Sequence, residues 1–481
     1  MSRYVGAPGV SGSVVIRGVT VVDPVDGTAQ AGQDVRVESG RITAVDVTGG
    51  DPGDAHVVEA DGRYLVPGFM DMHAHPLNTP DDVDGAYALM LANGIVGFRQ
   101  MSGSTRLLRD RRSGKLPSPT GAPALLATPG DLLTPLNAST VESAVVAVDE
   151  QHAEGADFIK AGFTTPDGLL AALAEARQLG LPLAGHLPQQ LDPADAARGG
   201  MRCIEHLGTG ITMFAAVSSR EADVRSIGAQ RRMPPLPKLS FPGAQWLVNR
   251  MILGMVTNPA ARTSEAEAEA YRLADSTYDP ERVAALAALF IEHGTWHCPT
   301  LIRIHTQQFG DSSEHTADPR RRYMAPDELR TWDSSAEKFA KLPQATREAL
   351  HEHWDAQLRV TGALADAGVP LLAGTDACGA AGVIPGFALH DEFDLLARAG
   401  LGPLAILRST TSDAATFLGI EDTAGRIATG YAADAVLLRQ DPLANQAALH
   451  SVEGVLRGGA WWSRADLDAV LAAVAAAPGA R

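Results

Sequence analysis

The sequence predicts an α/β protein built as a (β/α)8 TIM barrel, with a small composite β-sandwich formed by the N- and C-terminal segments. Short apolar runs that alternate with helical patterns indicate repeated βα units and a parallel sheet. β-rich patterns at both ends of the chain bracket this α/β region. The 481 residues are enough for a large barrel and one accessory domain.

Apolar runs ending in polar residues mark the barrel strands. We place these strands at residues 65–71, 95–101, 122–128, 158–161, 182–186, 203–206, 296–301 and 370–376. Helical patterns lie between them, and those at 167–180 and 281–294 end in a glycine suited to a helix C-cap. The connections on either side of the seventh strand are unusually long for a crossover. Because strand-to-helix loops open on the catalytic face of a barrel, we expect lids at about 208–280 and 302–350, with helical decoration as the alternative.

The two ends of the chain share a pattern of short β segments. Residues 14–23 and 33–45 have the composition of short β segments with Gly and Asp-Gly turn signals between them, and residues 425–440 and 452–462 have the same character. We therefore expect residues 1–64 and 421–481 to be the two halves of one sandwich. Residues 65–420 would then form the barrel with its lids.

Composition excludes several classes of function. A formal net charge of −17 argues against nucleic-acid and anionic-membrane binding, which both need basic patches. The chain has no signal-peptide pattern and no apolar stretch of about 18 residues, so we expect a cytoplasmic protein that does not span a membrane. Three cysteines are too few for a disulfide framework. We expect a small-molecule substrate, and an exposed lid offers a surface for a homo-oligomer.

The segment VPGFMDMHAH at residues 66–75 carries two histidines at the carboxyl end of an apolar run. Strand side chains alternate between faces, so His73 and His75 point the same way. Two neutral imidazoles at a strand end can chelate a divalent ion. A pair of surface histidines is the alternative for this motif taken alone.

Further residues of metal-binding type follow in order, each within or at the end of a strand-like run. They are Lys160 in DFIKAG, His186 in GHLP, His206 in IEHLG and Asp376 in AGTDA. In a closed barrel all strand carboxyl ends meet on one face, which brings these distant residues together. The set therefore predicts a metal site, although Lys160 in isolation would suggest a salt bridge.

This order of residues, HxH, Lys, His, His and Asp at the ends of strands 1, 4, 5, 6 and 8, resembles the amidohydrolase superfamily. The stretch from PGFALHDEF to GYAADAVLL is similar to the imidazolonepropionase-like and Xaa-Pro-dipeptidase-like branch, of the binuclear type with a carboxylated lysine. The resemblance extends over nearly the whole chain and is weakest in the segments flanking strand 7.

The resemblance implies a mechanism and a set of roles. His73, His75 and Asp376 would hold one ion and His186 and His206 the second, bridged by an N6-carboxylated Lys160. A hydroxide shared by the ions would attack the substrate carbonyl, and Asp376 would receive its proton and pass it to the leaving amine. Zinc is the expected metal, with manganese or cobalt as alternatives.

Substrate-binding residues are harder to identify. Arg99 ends strand 2 and could pair with a substrate carboxylate, or form a structural ion pair. His297 on strand 7 could face the substrate or the core, depending on a one-residue register. His390 begins a helix after strand 8, where it could support the site or face solvent. His351 and His353 also spell HxH, but such residues diverge on a helix, so we reject them as a chelate.

The predicted function is hydrolysis of an amide or peptide-type C–N bond in a small substrate, such as a dipeptide or an N-acyl amino acid. A cyclic amide, lactone or ester hydrolase using the same site is the alternative. A third hypothesis is an inactive member of the family that serves as a binding module.

Overall fold

The computed structural model describes residues 3–6, 10, 12–78, 83–228 and 257–479. The protein has a mixed α/β fold. The strands are β1 Val14–Val22, β2 Ala29–Glu38, β3 Arg41–Val47, β4 His56–Glu59, β5 Tyr64–Pro67, β6 Phe69–Ala74, β7 Ile95–Gln100, β8 Ala124–Ala127, β9 Ile159–Ala161, β10 Leu183–Gly185, β11 Cys203–Glu205, β12 Trp296–Cys298, β13 Ala435–Leu438, β14 Val452–Arg457 and β15 Ala460–Ser463.

Helices connect and cover these strands. They are α1 Val83–Ala92, α2 Thr105–Arg112, α3 Val141–Ala153, α4 Pro166–Gln178, α5 Pro193–Gly199, α6 Thr212–Ala216, α7 Glu221–Gly228, α8 Glu265–Ser276, α9 Pro280–His293, α10 Leu301–Gln308, α11 Ser313–Thr316, α12 Pro326–Ala340, α13 Gln344–Asp366, α14 Phe387–Arg398, α15 Pro403–Ser409, α16 Ser412–Leu418 and α17 Arg464–Ala476. None of them, in the part of the chain that the structure describes, has the length and apolar composition needed to cross a bilayer.

Local sequence explains where individual helices begin and end. The side chain of Asp279 accepts a hydrogen bond from the backbone N–H of Glu281 and caps α9, with Pro280 at the first helical position. Gly294 ends the same helix in the left-handed conformation. The helical pattern predicted at 281–294 therefore corresponds to α9, and the pattern at 167–180 corresponds to α4.

Two sheets contain the parallel strands that carry the predicted site residues. Their strand orders are β6-β7-β8 and β9-β10-β11-β12, and every pairing within them is parallel. Isolated parallel bridges join Pro129 to Phe158 and His297 to Leu371, and a further bridge joins Ala74 to Ala377. Among the described residues, these two sheets do not close into one continuous sheet. The predicted eighth strand, residues 370–376, is not a continuous strand. It has one parallel bridge at Leu371, a second follows at Ala377, and Asp376 has a left-handed backbone.

The third sheet combines strands from both ends of the chain. Its order is β15-β14-β13-β5-β1-β2-β3, with β4 paired to β1. Strand β13 pairs antiparallel with β5, so the C-terminal strands join directly onto the N-terminal ones. These pairings define one mixed sheet, and they do not define the two facing sheets of the predicted sandwich.

The predicted first barrel strand, residues 65–71, is divided between two sheets. Its first half belongs to β5 in the mixed sheet, and its second half belongs to β6, which continues to Ala74. Gly68 lies at the break, and a Cβ there would be 2.4 Å from a methyl group of Val96. The chain can pass between the two sheets at this point because glycine has no side chain.

Both predicted lid segments are largely helical where the structure describes them. The first contains α6, α7 and α8, and its residues 229–256 lie outside the described residues. The second contains α10, α11 and α12 and the start of α13. Helix α10 begins only three residues after β12, so its first turn lies beside the strand ends.

Candidate functional site

Three of the predicted metal ligands converge at the carboxyl end of β6. The Nε2 atoms of His73 and His75 lie 3.2 and 2.8 Å from Oδ1 of Asp376. The alternation of strand side chains puts both histidines on one face, as their spacing predicted. One ligand atom from each of the three side chains lies within 4.8 Å of the other two, so they could share one ion.

The other two predicted histidines lie beside this group. Nε2 of His206 is 3.9 Å from Oδ2 of Asp376, and its ring is 4.5 Å from that of His73. The ring of His186 is 5.2 Å from the ring of His206. Strands β6, β10 and β11 thus bring four histidines from distant parts of the chain into one cluster.

A buried carboxylate determines which nitrogen of His73 faces the cluster. Nδ1 of His73 is 2.7 Å from Oε2 of Glu205, and Arg99 donates to Oε1 of Glu205 at 2.7 Å. Burial favours the neutral acid, but the charge of Arg99 outweighs it and holds the pKa of Glu205 well below its usual range. Ionised Glu205 accepts the Nδ1 proton, so Nε2 of His73 presents a lone pair to Asp376.

His75 and His206 are oriented in the same way by hydroxyl groups. Ser102 donates to Oδ1 of Asn78 at 2.8 Å, which leaves its oxygen to accept from Nδ1 of His75 at 2.9 Å. Thr300 donates to the carbonyl oxygen of Pro299 at 2.8 Å and accepts from Nδ1 of His206. With the proton of each ring on Nδ1, the Nε2 lone pair points towards Asp376.

The lone pairs that converge on Asp376 indicate whether a cation fits the site. Three unprotonated imidazole nitrogens and a carboxylate converge, and none of these four groups has a proton to offer the others. Such atoms repel one another at hydrogen-bonding distance unless a cation lies between them. Neutral imidazole and carboxylate are also the donor set that zinc and related divalent ions prefer. The residues therefore fit a metal ion.

Lys160 is buried next to the cluster. Its side chain is 2% exposed, and its Nζ has no hydrogen-bond partner among the described residues. Burial lowers the pKa of Lys160, against the attraction of Glu205 and Asp376. Nδ1 of His186 is likewise buried without a partner in the described part of the chain. An unpartnered buried amine is costly, which favours a further group at this position.

Asp376 carries a negative charge in spite of its surroundings. Burial disfavours the charged carboxylate, but the polar and charged groups around it outweigh this and hold the pKa of Asp376 well below its usual range. Arg303 contributes a further positive charge, with its Nε 3.1 Å from Oδ2. Asp376 has a left-handed backbone with φ of 61°, a conformation that is uncommon outside glycine but that aspartate adopts more readily than most residues.

A buried aspartate ties the two chain segments of this centre together. Asp71 accepts from the backbone N–H groups of His73 and Thr375 at 3.1 Å each and from the Thr375 hydroxyl at 2.6 Å. The preceding Gly374 leaves room for this contact, because a Cβ there would lie 2.7 Å from Cβ of His73. Asp71 thus holds the segments that carry His73 and Asp376 in register with each other.

The structure places Arg99 beneath the cluster. It is 1% exposed, donates to the carbonyl oxygen of Met72 at 2.7 Å, and pairs with Glu205. This is the structural ion pair that the sequence left open as an alternative to a substrate contact.

His297 and His390 lie away from the cluster. The ring of His297 packs 4.6 Å from Phe290 of α9, and the side chain is fully buried, which is the core alternative. Nε2 of His390 bonds to the carbonyl oxygen of Asn93, and its ring contacts Phe69 and Phe393. Burial lowers the pKa of both histidines to about 3. These positions argue against direct contact of either residue with a substrate.

Sequence reasoning missed Glu205, Thr300 and Arg303. A buried acid inside the run CIEH and an arginine inside the apolar run LIRI are the signals that could have drawn attention to two of them. Thr300 has no such signal. Its role follows only from the approach of β12 to β11 in the folded chain.

Comparison with known proteins agrees with this geometry. Residues 277–461 match the model of the Amidohydrolase family, a range that includes Asp376 and Arg303. The predicted resemblance to the amidohydrolase superfamily is confirmed, and its dipeptidase-like members are among the structural neighbours.

Three solved structures show the extent of the shared fold. A bottromycin amidohydrolase has a TM-score of 0.70 at 24% identity, covering 97% of this chain and 91% of that chain. A Xaa-Pro dipeptidase with bound methionine in its active site has a TM-score of 0.60 at 16% identity, covering 94% and 100%. A putative prolidase from Bifidobacterium longum has a TM-score of 0.60 at 19% identity, covering 97% and 99%.

Proposed function

We propose, from the premise that this chain contains an Amidohydrolase family domain, that the protein is a metal-dependent hydrolase of amide or peptide-type C–N bonds. The observation that carries the proposal is the set of three imidazole Nε2 atoms around the carboxylate of Asp376. Small substrates such as a dipeptide or an N-acyl amino acid are the proposed class.

The fold proposed for this enzyme is a (β/α)8 barrel. Its eight strands would be β6 to β12 and the segment 370–377, in chain order. Two parallel bridges support this arrangement: Leu371 joins the eighth strand to its neighbour β12, and Ala377 joins it to the first strand, β6. The mixed sheet of the two chain ends would then supply the strands of the predicted accessory sandwich beside the barrel.

Six residues would hold two divalent ions, with zinc as the expected metal. His73, His75 and Asp376 would hold one ion and His186 and His206 the other, with Lys160 between them as an N6-carbamate. The buried, unpartnered Nζ of Lys160 supports this, because its neutral amine can form an N–C bond to carbon dioxide and release a proton. When bound, such ions polarise a carbonyl oxygen and lower the pKa of water.

Asp376 is placed to move the proton during hydrolysis. Its Oδ1 faces His73 and His75, while Oδ2 is held by Arg303 at 3.1 Å. Arg303 thereby limits the rotation of the carboxylate and keeps it ionised, as a proton acceptor must be. In the proposed reaction Asp376 takes a proton from the attacking water and delivers it to the nitrogen of the departing amine.

A substrate panel with product identification tests the reaction class. Purified enzyme should release amino acids from dipeptides or N-acyl amino acids, detected by mass spectrometry. Release of products only from cyclic amides, lactones or esters would replace the proposed substrate class. No turnover of any panel member by fully metal-loaded protein would support an inactive binding module instead.

Metal analysis of Lys160→Ala tests the centre itself. The parent should carry about two divalent ions per chain, and the variant should lose both the paired ions and the activity. A small carboxylic acid added to the variant should restore part of both, because it can occupy the bridging position. His152→Ala, an exposed histidine on α3, is the matched control and should behave like the parent. Near-parental turnover by Lys160→Ala would contradict the bridging role.

A further inference from the structure

A second group of metal-binding side chains lies outside the centre around Asp376. His305 is on α10, and Glu314 and His315 are on the short helix α11. Nδ1 of His305 is 3.0 Å from Nε2 of His315, and one ligand atom of each of the three residues lies within 4.8 Å of the others. We call these three residues the outer cluster.

The packing of His305 holds one member of the outer cluster in place. Its side chain is 6% exposed, and its ring stacks on Phe309 at 4.7 Å and meets Trp354 edge-on at 4.8 Å. His315 is half-buried and Glu314 is exposed, so an ion can reach the cluster from solvent. A ligand already fixed by packing loses little entropy when an ion binds.

The two histidines are neutral, as metal binding needs, and the proton shared in their N–H···N contact would move to the other nitrogen of its ring when an ion binds. Burial lowers the pKa of His305 to about 3, and burial also lowers the pKa of His315. Both rings are therefore neutral at neutral pH. Two nitrogens bound to one tetrahedral zinc ion lie about 3.3 Å apart, so the observed 3.0 Å requires only a small movement.

We propose that His305, His315 and Glu314 form an additional site for a divalent ion of the zinc class, which joins α11 to α10. Two imidazoles and one carboxylate favour zinc over calcium or magnesium, which prefer oxygen ligands alone. Three protein ligands leave one tetrahedral position for water. The site shares no residue with the centre around Asp376 and does not depend on the proposed function.

Nearby arginines set a limit on the affinity of the outer cluster. Arg320 lies close to His315, but it is paired with Asp318 at 2.7 Å and with Asp391 at 2.9 Å, which balances its charge. Arg398 acts on His305 and lies over the ring of Trp354 at 5.8 Å. We therefore expect this ion to bind more weakly than those of the main centre.

The position of the outer cluster connects it to the wall of the candidate active site. Helix α10 also carries Arg303, which is paired with Asp376. On the other side, a Cβ at Gly382 would lie 3.5 Å from Cβ of His315, so α11 packs on the loop that follows Asp376. An ion in the outer cluster would stabilise two segments that flank the catalytic carboxylate.

A zinc titration of the full-length protein tests this site. Zinc chloride is added to enzyme whose tightest sites are already filled, and bound zinc is measured by calorimetry and by elemental analysis. We expect the parent to bind one more zinc ion per chain than His315→Ala, and its melting temperature to rise as that ion binds. Glu314→Gln should lower the affinity for this ion at least roughly tenfold, since even residues that only hydrogen-bond to a metal ligand contribute that much.

His293→Ala, an exposed histidine at the end of α9, is the matched control and should keep the extra ion. Equal zinc counts and equal affinities in the parent and His315→Ala would overturn the proposal. Circular dichroism shows whether each variant is folded. If His315→Ala is not folded, the zinc affinity of Glu314→Gln relative to the parent decides whether the outer cluster binds the ion. The parent and these variants share the same centre around Asp376, so the difference in bound zinc reports on the outer cluster alone. Its result is therefore independent of the test of the proposed function.

Discussion

Single protons control what the candidate site can bind. Each of His73, His75 and His206 donates its Nδ1 proton to an acceptor behind it, and each therefore offers Nε2 to the centre. The acceptors are a carboxylate and two hydroxyl oxygens, and they lie on other segments of the chain. The acceptor behind each histidine thus determines which ring nitrogen can bind a metal ion.

Replacing Thr300 tests this dependence at one histidine. Thr300→Val keeps the shape of the side chain but removes the acceptor for Nδ1 of His206. We expect metal affinity to fall about 10–100-fold, the usual cost of losing such a partner, measured by competition with a chelator. Thr300→Ser retains the hydroxyl and is the control. Equal affinities of the Val and Ser variants would show that the hydroxyl does not orient the ring.

Asp376→Asn separates metal binding from proton transfer. The amide keeps one coordinating oxygen but cannot accept the proton. We expect about two ions to be retained and kcat to fall at least roughly a hundredfold, the lower end of the contribution of general acid–base catalysis. Metal content and kcat are measured on the same sample. Turnover within a few-fold of the parent in a fully loaded variant would mean that another group carries the proton.

At the scale of secondary-structure elements, helix α10 links the centre around Asp376 to helix α14. Its first turn is capped by Glu392 of α14, whose Oε2 accepts from the backbone N–H of Ile302 at 2.7 Å. The next residue, Arg303, pairs with Asp376. The carboxyl group of Glu392 is fully buried, and this burial raises its pKa to about 8 in spite of hydrogen bonds from Ile302 and Leu301.

The raised pKa of Glu392 predicts a pH-dependent stability. The unfolded chain releases this proton near the ordinary pKa of 4.5, whereas the folded chain keeps it until about pH 8. Between these values the folded state binds more protons, so this group makes stability fall as pH rises, by up to about 1.4 kcal/mol per pH unit.

Glu392→Gln should remove this contribution, because its amide oxygen can still accept from Ile302 and does not titrate. Urea unfolding from pH 5 to 8 should show a shallower decline for the variant than for the parent. Glu337→Gln, at an exposed position on α12, is the control and should follow the parent. Parallel curves for the parent and Glu392→Gln would rule out a titration of Glu392 in this range.

On the scale of the whole molecule, the mixed sheet joins the two ends of the chain to each other. Leu65 of β5 is fully buried, and it pairs with Val21 of β1 on one side and with Leu437 of β13 on the other. Strand β6 follows directly, so the same segment leads into the strand that carries His73. The mixed sheet therefore contributes to the placement of the candidate centre.

Leu65→Ala should destabilise both ends of the chain together. Loss of a buried leucine side chain typically lowers the free energy of unfolding by about 2–5 kcal/mol. Hydrogen exchange should increase in β1 and in β13, although they are far apart in sequence. Val47→Ala, at a position 78% exposed on β3, is the control. An increase confined to β1 would show that the C-terminal strands are stable without the N-terminal ones.

Much of the fold could be predicted because its signals are local. The glycine after α9 and the apolar faces of α4 and α9 follow from residues a few positions apart. The break at Gly68 could not be predicted in this way, since β5 and β6 form one apolar run and differ only in their partners. The departure of residues 370–376 from a continuous strand could not be predicted either, because an apolar run has the same sequence pattern whether or not each of its residues pairs with a neighbouring strand.

The sequence by itself determined the family resemblance and the order of His73, His75, Lys160, His186, His206 and Asp376 along the chain. These residues stand out because imidazole, amine and carboxylate groups are unusual at the ends of apolar runs. Only the tertiary structure decided which other side chains contact and orient these residues. Glu205, Thr300 and Arg303 act through contacts between segments tens to hundreds of residues apart, and the facing of His297 depends on a one-residue register in a three-residue strand. Such contacts and such a register depend on the packing of the whole chain, and no local pattern encodes them.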